Sequence, residues 1–492
     1  RSVKTLGILE SLHHFHPEFF LSLTFVGGML LMVLLSERDW DLVGPATLAG
    51  VLVAFFSLFT ALPLRSGRYF SGVLFLDPLT QFGKALLLLL AVGVVAILVV
   101  RDRRGEQFPP QGYLSLTLSL LSMFLLLSTN DLLLLLLSLE GIGMATLLLA
   151  AQGGGRATEC RETLFRGMAA SIFLFTAVAG LHGFCGGSTF HEIARAIGKN
   201  PLPSSFLLPL LCLLAIGFLV KTALLPPFPV HAWRRAPAPV ALFLSAGIVV
   251  SGVMGFMRLF FSLFLVWEKG AGHLRIWTMV HEFPWSLALS AVALSSMTVA
   301  NVGALFTREV KGRLLYATAA FGGYALLPLV FLNGRGVILS LHLLTLLVVT
   351  IPGVSWGLIL FDEGRNWRGM GRKMPIEGFF TLFFLFALVG VPLAARWGRG
   401  EFLVSFLRTE PFVTPWGSGG AVLPILFLSN VLIALVALGQ SAISLFRVPR
   451  GEFPRSVPRL GRSPLLFLLA LTLLAFTAPF LLDLAEEIVT NF

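Results

Sequence analysis

The stretch "GFLVKTALLPPFPVHAW" (217–233) combines a charge inside a hydrophobic run with a broken helix. Lys221 follows apolar residues, and prolines stand at positions 226, 227 and 229. A charge at the centre of a bilayer costs at least about 2.5–3.5 kcal/mol on insertion scales, so such residues face the interior of a helix bundle. Prolines end a helix, and the freed backbone groups are tolerated at membrane depth only beside water or polar protein. The stretch therefore predicts a hydrated pocket within a helical membrane protein.

The composition of the whole chain agrees with a membrane protein. Of its 492 residues, 56% are hydrophobic and 12% are charged, and the mean hydropathy is +0.89. Soluble domains are about 25% charged. A window of about 19 residues finds about fourteen apolar segments, each near the roughly 20 residues that a spanning helix needs. They centre near residues 27, 52, 90, 120, 141, 175, 214, 249, 295, 323, 348, 385, 433 and 473. The segments predict an all-α polytopic membrane protein of about 14 transmembrane helices, without an inserted soluble domain.

The positive charge of the chain lies in its loops. The net charge of +11 could suggest a nucleic-acid partner. However, the odd-numbered loops carry about 20 Lys and Arg against about 12 in the even-numbered loops and termini, which is the bias of the positive-inside rule. We therefore expect no nucleic acid to bind, and we expect the odd loops to face the cytoplasm or the mitochondrial matrix.

A second proline break occurs five spans after the first. "LLPPFP" (224–229) interrupts the seventh span and "VGVPLAARWG" (389–398) interrupts the twelfth. Interrupted spans at corresponding places in two halves indicate inverted repeats with an ion site at the breaks. The predicted organisation is three N-terminal helices in 1–112, five-helix repeats in 113–262 and 263–446, and a C-terminal helix in 447–492.

Two lysines and one clear acid lie inside apolar spans. Glu140 lies in "NDLLLLLLSLEGIGMATLLLAA" (130–151), and Lys84 joins Lys221 as the second intramembrane lysine. Burial disfavours an ammonium and a nearby carboxylate restores it, so a Glu–Lys pair with adjustable separation is a switchable proton site. For Glu140 and Lys221 this interpretation is favoured over a structural ion pair. For Lys84, near the start of its helix, a structural role is favoured over a functional one, and its side chain is expected to be able to reach the interface.

Histidines and cysteines give weaker signals. His231 follows the first break and His342 lies in "LSLHLLTLL" (339–347), and each suits a proton relay or ordinary packing equally well. The "HHFH" at 13–16 precedes "PEFF" at the amino end, which does not favour a metal site. The three cysteines lack metal-ligand spacing. No haem, iron–sulfur or nucleotide motif appears, so we expect no cofactor in this chain.

Six stretches, in this order, resemble the antiporter-like membrane subunits of respiratory complex I and the related sodium/proton antiporters and membrane hydrogenases. Within that family the likeness is greatest to subunit 2 of the mitochondrial complex, the N-type subunit of bacteria. The stretches are "HPEFFLSL" (16–23), "FLDPLTQFGKALLLLL" (75–90), "LSTNDLLLLLLSLEGIGMATLLLAA" (127–151), "TECRETLFRGMAASIFLF" (158–175), "GFLVKTALLPPFPVHAWRRAPAPVALFLS" (217–245) and "NVGALFTREVKGRLLYATAAFGGYALLPL" (301–329).

The resemblance implies a proton-translocating core subunit of the membrane arm of NADH:ubiquinone oxidoreductase, coupled to quinone reduction elsewhere in the complex. The family's paired glutamate and lysine match Glu140 and Lys221, and its fold of two inverted five-helix bundles agrees with the two breaks. It also implies other membrane-arm subunits as partners, membrane lipids such as cardiolipin around the helices, and no redox centre in this chain. The expected location is the mitochondrial inner membrane, as a multi-pass protein, with a bacterial plasma membrane as the alternative.

The chain departs from the family pattern at two places. The next bridging lysine of the family falls on Val249, and after the twelfth-span break Arg399 and Glu401 replace the usual lysine. A proton could continue through His342 and Arg399 instead. Such drift suits a divergent mitochondrial subunit. Two alternatives stay open, a stand-alone or Mrp-type cation/proton antiporter and a structural subunit with a degenerate proton path.

Overall fold

The apolar runs of the sequence form helices at the predicted places. The computed structural model describes residues 11, 15–34, 37–60, 67–102, 108–152, 157–199, 204–226, 228–234, 236–267, 274–276, 285–331, 334–361, 367–389 and 422–447. Every predicted span centre except the one near residue 473, which lies outside the described residues, falls within a helix. The polytopic helical fold is thereby confirmed, and the total of fourteen spans stays a prediction.

The chain divides into two compact units, Arg1–Ala223 with Gly247–Pro284 and Leu224–Ala246 with Trp285–Phe492. The first contains α1 (His16–Leu34), α2 (Val43–Thr60), α3 (Pro78–Asp102), α4 (Pro110–Ser128), α5 (Leu132–Gln152), α6 (Ala157–Cys185), α7 (Phe190–Lys199), α8 (Ser204–Lys221) and the later part of α10 (Ala238–Phe264). It also contains the antiparallel pairs β1 (Gly67–Tyr69) with β2 (Leu74–Leu76) and β3 (Leu265–Trp267) with β4 (Leu274–Ile276).

The second unit contains the start of α10 and the remaining helices. These are α9 (Val230–Trp233), α11 (Trp285–Phe306), α12 (Val310–Leu326), α13 (Gly334–Leu360), α14 (Met370–Lys373), α15 (Pro375–Ala387) and α16 (Val422–Phe446). Short 3-10 turns span Glu37–Leu42, Phe70–Gly72 and Leu327–Phe331. The predicted repeat boundaries at 112, 262 and 446 stay predictions.

Helix length marks the two interrupted spans. Among the described residues, eleven helices are long and apolar enough to cross a membrane, whereas α8 and α15 are apolar but shorter. These two are the seventh and twelfth predicted spans. α8 ends at Lys221, ahead of the prolines, as the sequence predicts. α15 ends at Ala387, and most of the second break, from residue 390 onward, lies outside the described residues. The inverted-repeat relationship stays a prediction.

Two small elements of the first unit go beyond the hydropathy prediction. α7 is amphipathic, with Phe190, Ile193 and Ile197 buried at helical spacing, but it is too short to appear as a span. The β1–β2 hairpin contributes Tyr69, Leu74 and Leu76 to an apolar cluster that also contains Phe15. The hairpin and the segment leading into α1 are thus packed together.

Buried amides join three helices of the second unit. Asn301 on α11 donates from Nδ2 to the Tyr324 hydroxyl on α12 at 2.9 Å, and Asn430 on α16 donates to Thr298 Oγ1 at 3.0 Å. Hydrogen bonds between helices, rather than hydrophobic transfer, specify packing where the surrounding lipid is itself apolar. This network therefore fixes the relative register of α11, α12 and α16.

Candidate functional site

The intramembrane glutamate and lysine predicted from the sequence form an ion pair in the first unit. Lys221 Nζ lies 2.7 Å from Glu140 Oε2, which joins the end of α8 to the middle of α5. The lysine side chain is 6% exposed and the glutamate side chain is 37% exposed. The ammonium is therefore enclosed by protein, whereas the carboxylate opens on one side toward the surroundings of the unit.

A third helix holds the carboxylate. Ser171 Oγ on α6 donates to Glu140 Oε1 at 2.6 Å and also lies 2.8 Å from the carbonyl of Gly167. Glu140 thus binds a different group at each oxygen, Ser171 at Oε1 and Lys221 at Oε2. Sequence reasoning missed Ser171, because serines that bond back to their own helix are common in membrane spans and nothing local distinguishes this one.

Small residues after Glu140 make room for the ammonium. A Cβ added at Gly143 would have only Lys221 Nζ within 4 Å, at 3.8 Å. Gly141 packs closely on Ser122 of α4, where an added Cβ would lie 2.4 Å from the hydroxyl oxygen. The absence of side chains at these positions lets α5 sit tightly between α4 and the ammonium of Lys221.

The chain leaves α8 through a strained turn directly after Lys221. Thr222 bonds the Phe218 carbonyl through both its backbone N–H, at 3.0 Å, and its hydroxyl, at 2.8 Å. Ala223 then adopts a φ of +53°, which an L residue other than glycine rarely does. Gly252 on α10 permits the close approach, since a Cβ there would lie 2.6 Å from Thr222 Cβ. The hydrogen bonds to Phe218 and the packing against Gly252 hold this turn, and the turn fixes the end of α8 at Lys221.

This turn yields a prediction about Ala223. The left-handed conformation costs a residue with a Cβ roughly 1–2 kcal/mol, whereas glycine adopts it freely at a cost in unfolded-state entropy of about 0.4–1 kcal/mol. We expect Ala223→Gly to keep or slightly raise thermal stability. Ala223→Val should lower it by about 1–2 kcal/mol, because β-branched residues tolerate positive φ poorly. Thermal melting of the purified protein measures both changes.

The matched control is Ala169→Val on the exposed face of α6, where the same added carbons meet an ordinary helical backbone. Its stability should change within about 0.5 kcal/mol. Equal melting temperatures for Ala223→Val and Ala169→Val would show that the turn carries no strain.

Lys84 does not reach the membrane interface. Its side chain is 1% exposed and forms an ion pair with Glu18 of α1. Its Nζ lies 5.2 Å from the ring centre of Phe15 and 5.8 Å from that of Phe124. The prediction that this lysine snorkels is wrong, because α1 and α4 cover the first turns of α3 and supply a carboxylate there.

The two histidines of the predicted relay lie in the second unit. His231 on α9 is exposed, and His342 on α13 is half-buried with Nδ1 donating to the Ile338 carbonyl at 2.8 Å. Val249 on α10 is fully buried. Arg399 and Glu401 lie outside the described residues. The relay roles of the two histidines, Arg399 and Glu401 stay predictions.

Among the residues that the structure describes, no group of three or more His, Cys, Asp or Glu could hold a metal ion. The three cysteines are half-buried and unbridged. The Glu140–Lys221 contact itself places an amine and a carboxyl group 2.7 Å apart, a distance over which a proton can be exchanged.

The fold and the site together define a polytopic membrane protein with a charge pair at the end of an interrupted helix. The chain belongs to the NADH:quinone oxidoreductase/Mrp antiporter transmembrane family, whose model matches residues 129–414. The matched region contains Glu140, Ser171 and Lys221. The resemblance seen in the sequence is thereby confirmed.

Curated relatives of this chain are bacterial. It is 29% identical over 464 residues, covering 87% of this chain and 86% of the relative, to "NADH-quinone oxidoreductase subunit N" of Anaeromyxobacter sp.. It is 27% identical over 397 residues, covering 77% and 75%, to "NADH-quinone oxidoreductase subunit N 2" of Chloroherpeton thalassium. A multi-pass membrane location is confirmed. The bacterial relatives support the plasma-membrane alternative, and the mitochondrial inner membrane stays a prediction.

Solved structures share the fold. A chain of respiratory complex I from Thermus thermophilus with bound aureothin matches with a TM-score of 0.68 and 22% identity, covering 95% of this chain and 96% of that one. A chain of the archaeal membrane-bound sulfane sulfur reductase matches with a TM-score of 0.74 and 16% identity, covering 98% and 97%. A chain of the Mrp complex from Dietzia sp. matches with a TM-score of 0.72 and 14% identity, with the same coverage.

Proposed function

We propose that this chain is the N-type, antiporter-like subunit of the membrane arm of an NADH:quinone oxidoreductase and that it translocates protons. The family match and the subunit N relatives support the assignment to the complex. The observation that carries the proton-translocating role is the contact of Lys221 Nζ with Glu140 Oε2 at 2.7 Å, at the end of the interrupted helix.

The pair can act as a switch because its strength depends on distance. Burial disfavours the ammonium, and the adjacent carboxylate restores it. The attraction between two charges falls as their separation grows, so lengthening the contact weakens the effect of the carboxylate on the ammonium. Lys221 is the last residue of α8, and rotation about its side-chain bonds changes this distance without moving α5.

The electron-transfer chemistry is assigned to other subunits. In this proposal NADH oxidation and quinone reduction occur elsewhere in the complex, and this chain holds no cofactor. Its part of the overall reaction is the movement of protons at the Glu140–Lys221 pair. Val249 carries no titratable group, so any onward route from Lys221 bypasses that position.

A neighbouring membrane subunit is proposed to cover the face that carries Glu140. Four apolar side chains at helical spacing form an exposed stripe along α5: Leu133, Leu137, Met144 and Leu148. Glu140 lies within this stripe. A partly exposed carboxylate facing lipid would be costly, whereas a polar or hydrated partner surface would satisfy it. Lipids, cardiolipin among them, are proposed to surround the remaining apolar faces.

A stand-alone or Mrp-type cation/proton antiporter is the second candidate, because the family model includes Mrp antiporters. The two are separated by purifying a tagged form of this chain from its own membrane. In the first case the NADH-oxidising subunits copurify, and NADH oxidation in sealed vesicles acidifies one side independently of sodium. Isolation without those subunits, together with sodium-dependent proton exchange, would reject the complex I assignment.

A further inference from the structure

The first unit contains a second buried glutamate–lysine pair. Glu18 on α1 contacts Lys84 on α3, and the two side chains are 9% and 1% exposed. The rings of Phe15 and Phe124 flank the ammonium, and the apolar cluster of Phe15 with the β1–β2 hairpin lies beside it. The pair is thus more completely enclosed than Glu140–Lys221.

The ion pair between Arg258 and Asp77, at the start of α3, serves as a comparison for the Glu18–Lys84 pair. Arg258 on α10 donates to Asp77 Oδ1 at 2.5 Å and to Thr80 Oγ1 at 2.6 Å. Asp77 also accepts from the backbone N–H of Thr80 at 2.8 Å and from its hydroxyl at 2.6 Å. An arginine does not release its proton in proteins, and three donors bind Asp77 Oδ1. The cation of the Arg258–Asp77 pair therefore has no proton to give to its partner.

Glu18 has the opposite environment. Its Oε2 is buried and accepts no hydrogen bond from any residue that the structure describes. A buried carboxylate oxygen without a donor is costly when charged and much less so when it carries the proton. Lys84 can supply that proton directly: an N–H bond at Nζ breaks, an O–H bond forms on the carboxyl group, and an ionic pair becomes a neutral one. This transfer leaves the total charge of the pair unchanged.

The two glutamate–lysine pairs lie on opposite sides of α4 at similar depth. Phe124 of α4 faces Lys84, whereas Ser122 packs against Gly141, next to Glu140. Residues two apart on a helix point in nearly opposite directions. Lys84 lies six residues into α3 and Glu140 eight residues into α5. With 1.5 Å per residue, these positions are roughly 9 and 12 Å from helix ends that share one side of the membrane.

We propose that Glu18 and Lys84 form a second proton-exchanging pair, coupled across α4 to Glu140 and Lys221. The inference rests on the proposed proton-translocating function and deepens it. A proton that enters or leaves the Glu18–Lys84 pair changes its net charge by one unit, and the low dielectric of the helix bundle transmits that change to the neighbouring pair.

Lys84→Arg in the assembled complex tests the proposal, because arginine keeps the charge and the ion pair but does not give up its proton. We expect normal assembly and NADH–quinone electron transfer, with protons pumped per electron reduced to an extent comparable with Lys221→Ala. The matched control is Lys311→Arg in the second unit, a buried lysine that bonds the Ala236 carbonyl, which should pump normally.

The outcomes separate this proposal from the proposed function. Normal pumping by Lys84→Arg alongside impaired pumping by Lys221→Ala would make Glu18–Lys84 a structural pair and leave the proposed function standing. Normal pumping by both would reject the proposed function itself. If Lys84→Arg fails to assemble, the neutral double variant Glu18→Gln/Lys84→Met replaces it. Assembly with reduced pumping then supports exchange, whereas normal pumping, or failure of this variant to assemble as well, overturns it.

Discussion

Lys221→Ala is expected to abolish proton movement through this subunit while the chain still folds and assembles. The substitution removes the amine that is proposed to carry the proton, and a positioned acid or base contributes typically about 10²–10⁴-fold to a proton-transfer step. The fold should survive because Glu140 keeps its hydrogen bond from Ser171 and its side chain is partly exposed, so the carboxylate is not left buried without a partner. Protons pumped per electron in reconstituted vesicles measure the effect.

Three variants sharpen this prediction. Lys373→Ala, which makes the same change at an exposed lysine of α14, should pump normally. Ser171→Ala keeps the ion pair and removes one hydrogen bond to the carboxylate. Its proton pumping should therefore lie between that of the unchanged protein and that of Lys221→Ala. The double variant Glu140→Lys/Lys221→Glu tests whether the attraction between the two charges is sufficient for proton pumping. Unchanged pumping in Lys221→Ala, with assembly verified, would exclude this residue as the proton carrier.

Arg258→Ala is expected to produce the largest loss of stability. It leaves Asp77 as a buried charge without its cation, and breaking a buried pair in this way costs about 3–5 kcal/mol. Asp77→Asn should cost less, because the amide oxygen still accepts the N–H of Thr80 that caps α3. The melting temperature of the purified complex and the yield of assembled complex report the change.

The double variant Arg258→Met/Asp77→Asn should recover much of the loss, since removing both charges of a buried pair is often nearly neutral. Arg308→Ala, at an exposed arginine in the second unit, serves as the control and should change stability within about 0.5 kcal/mol. A double variant as unstable as Arg258→Ala alone would show that Arg258 acts through packing and not through its charge.

The positions of the spanning helices could be predicted from the sequence because hydropathy is a local property. About twenty apolar residues in a row satisfy a bilayer whatever their neighbours are. The end of α8 at Lys221 was predictable for the same kind of reason, because prolines disallow the helix that would otherwise continue. The pairing of Glu140 with Lys221 was predicted from their chemistry and from the family resemblance, and the structure shows it at 2.7 Å.

The surroundings of the pairs could not be predicted. Ser171, the Glu18–Lys84 contact and the Arg258–Asp77 contact join residues 31, 66 and 181 positions apart. Helices that are apolar on all sides carry no stripe to indicate which face meets which neighbour. The rule that a lysine near a helix end snorkels failed at Lys84, because it considers the helix alone and not the helices packed around it.

The amino-acid sequence by itself therefore determined that this is a polytopic helical membrane protein, where its spans lie, where the seventh one breaks, and which buried charges need partners. The tertiary structure alone decided which partners they meet, a serine at Glu140 and a glutamate at Lys84, whose ammonium two phenylalanine rings flank. It also decided that a strained turn at Ala223 follows Lys221. The physical reason is that insertion into a membrane depends on the composition of each segment, whereas the satisfaction of a buried charge depends on side chains brought together from distant parts of the chain.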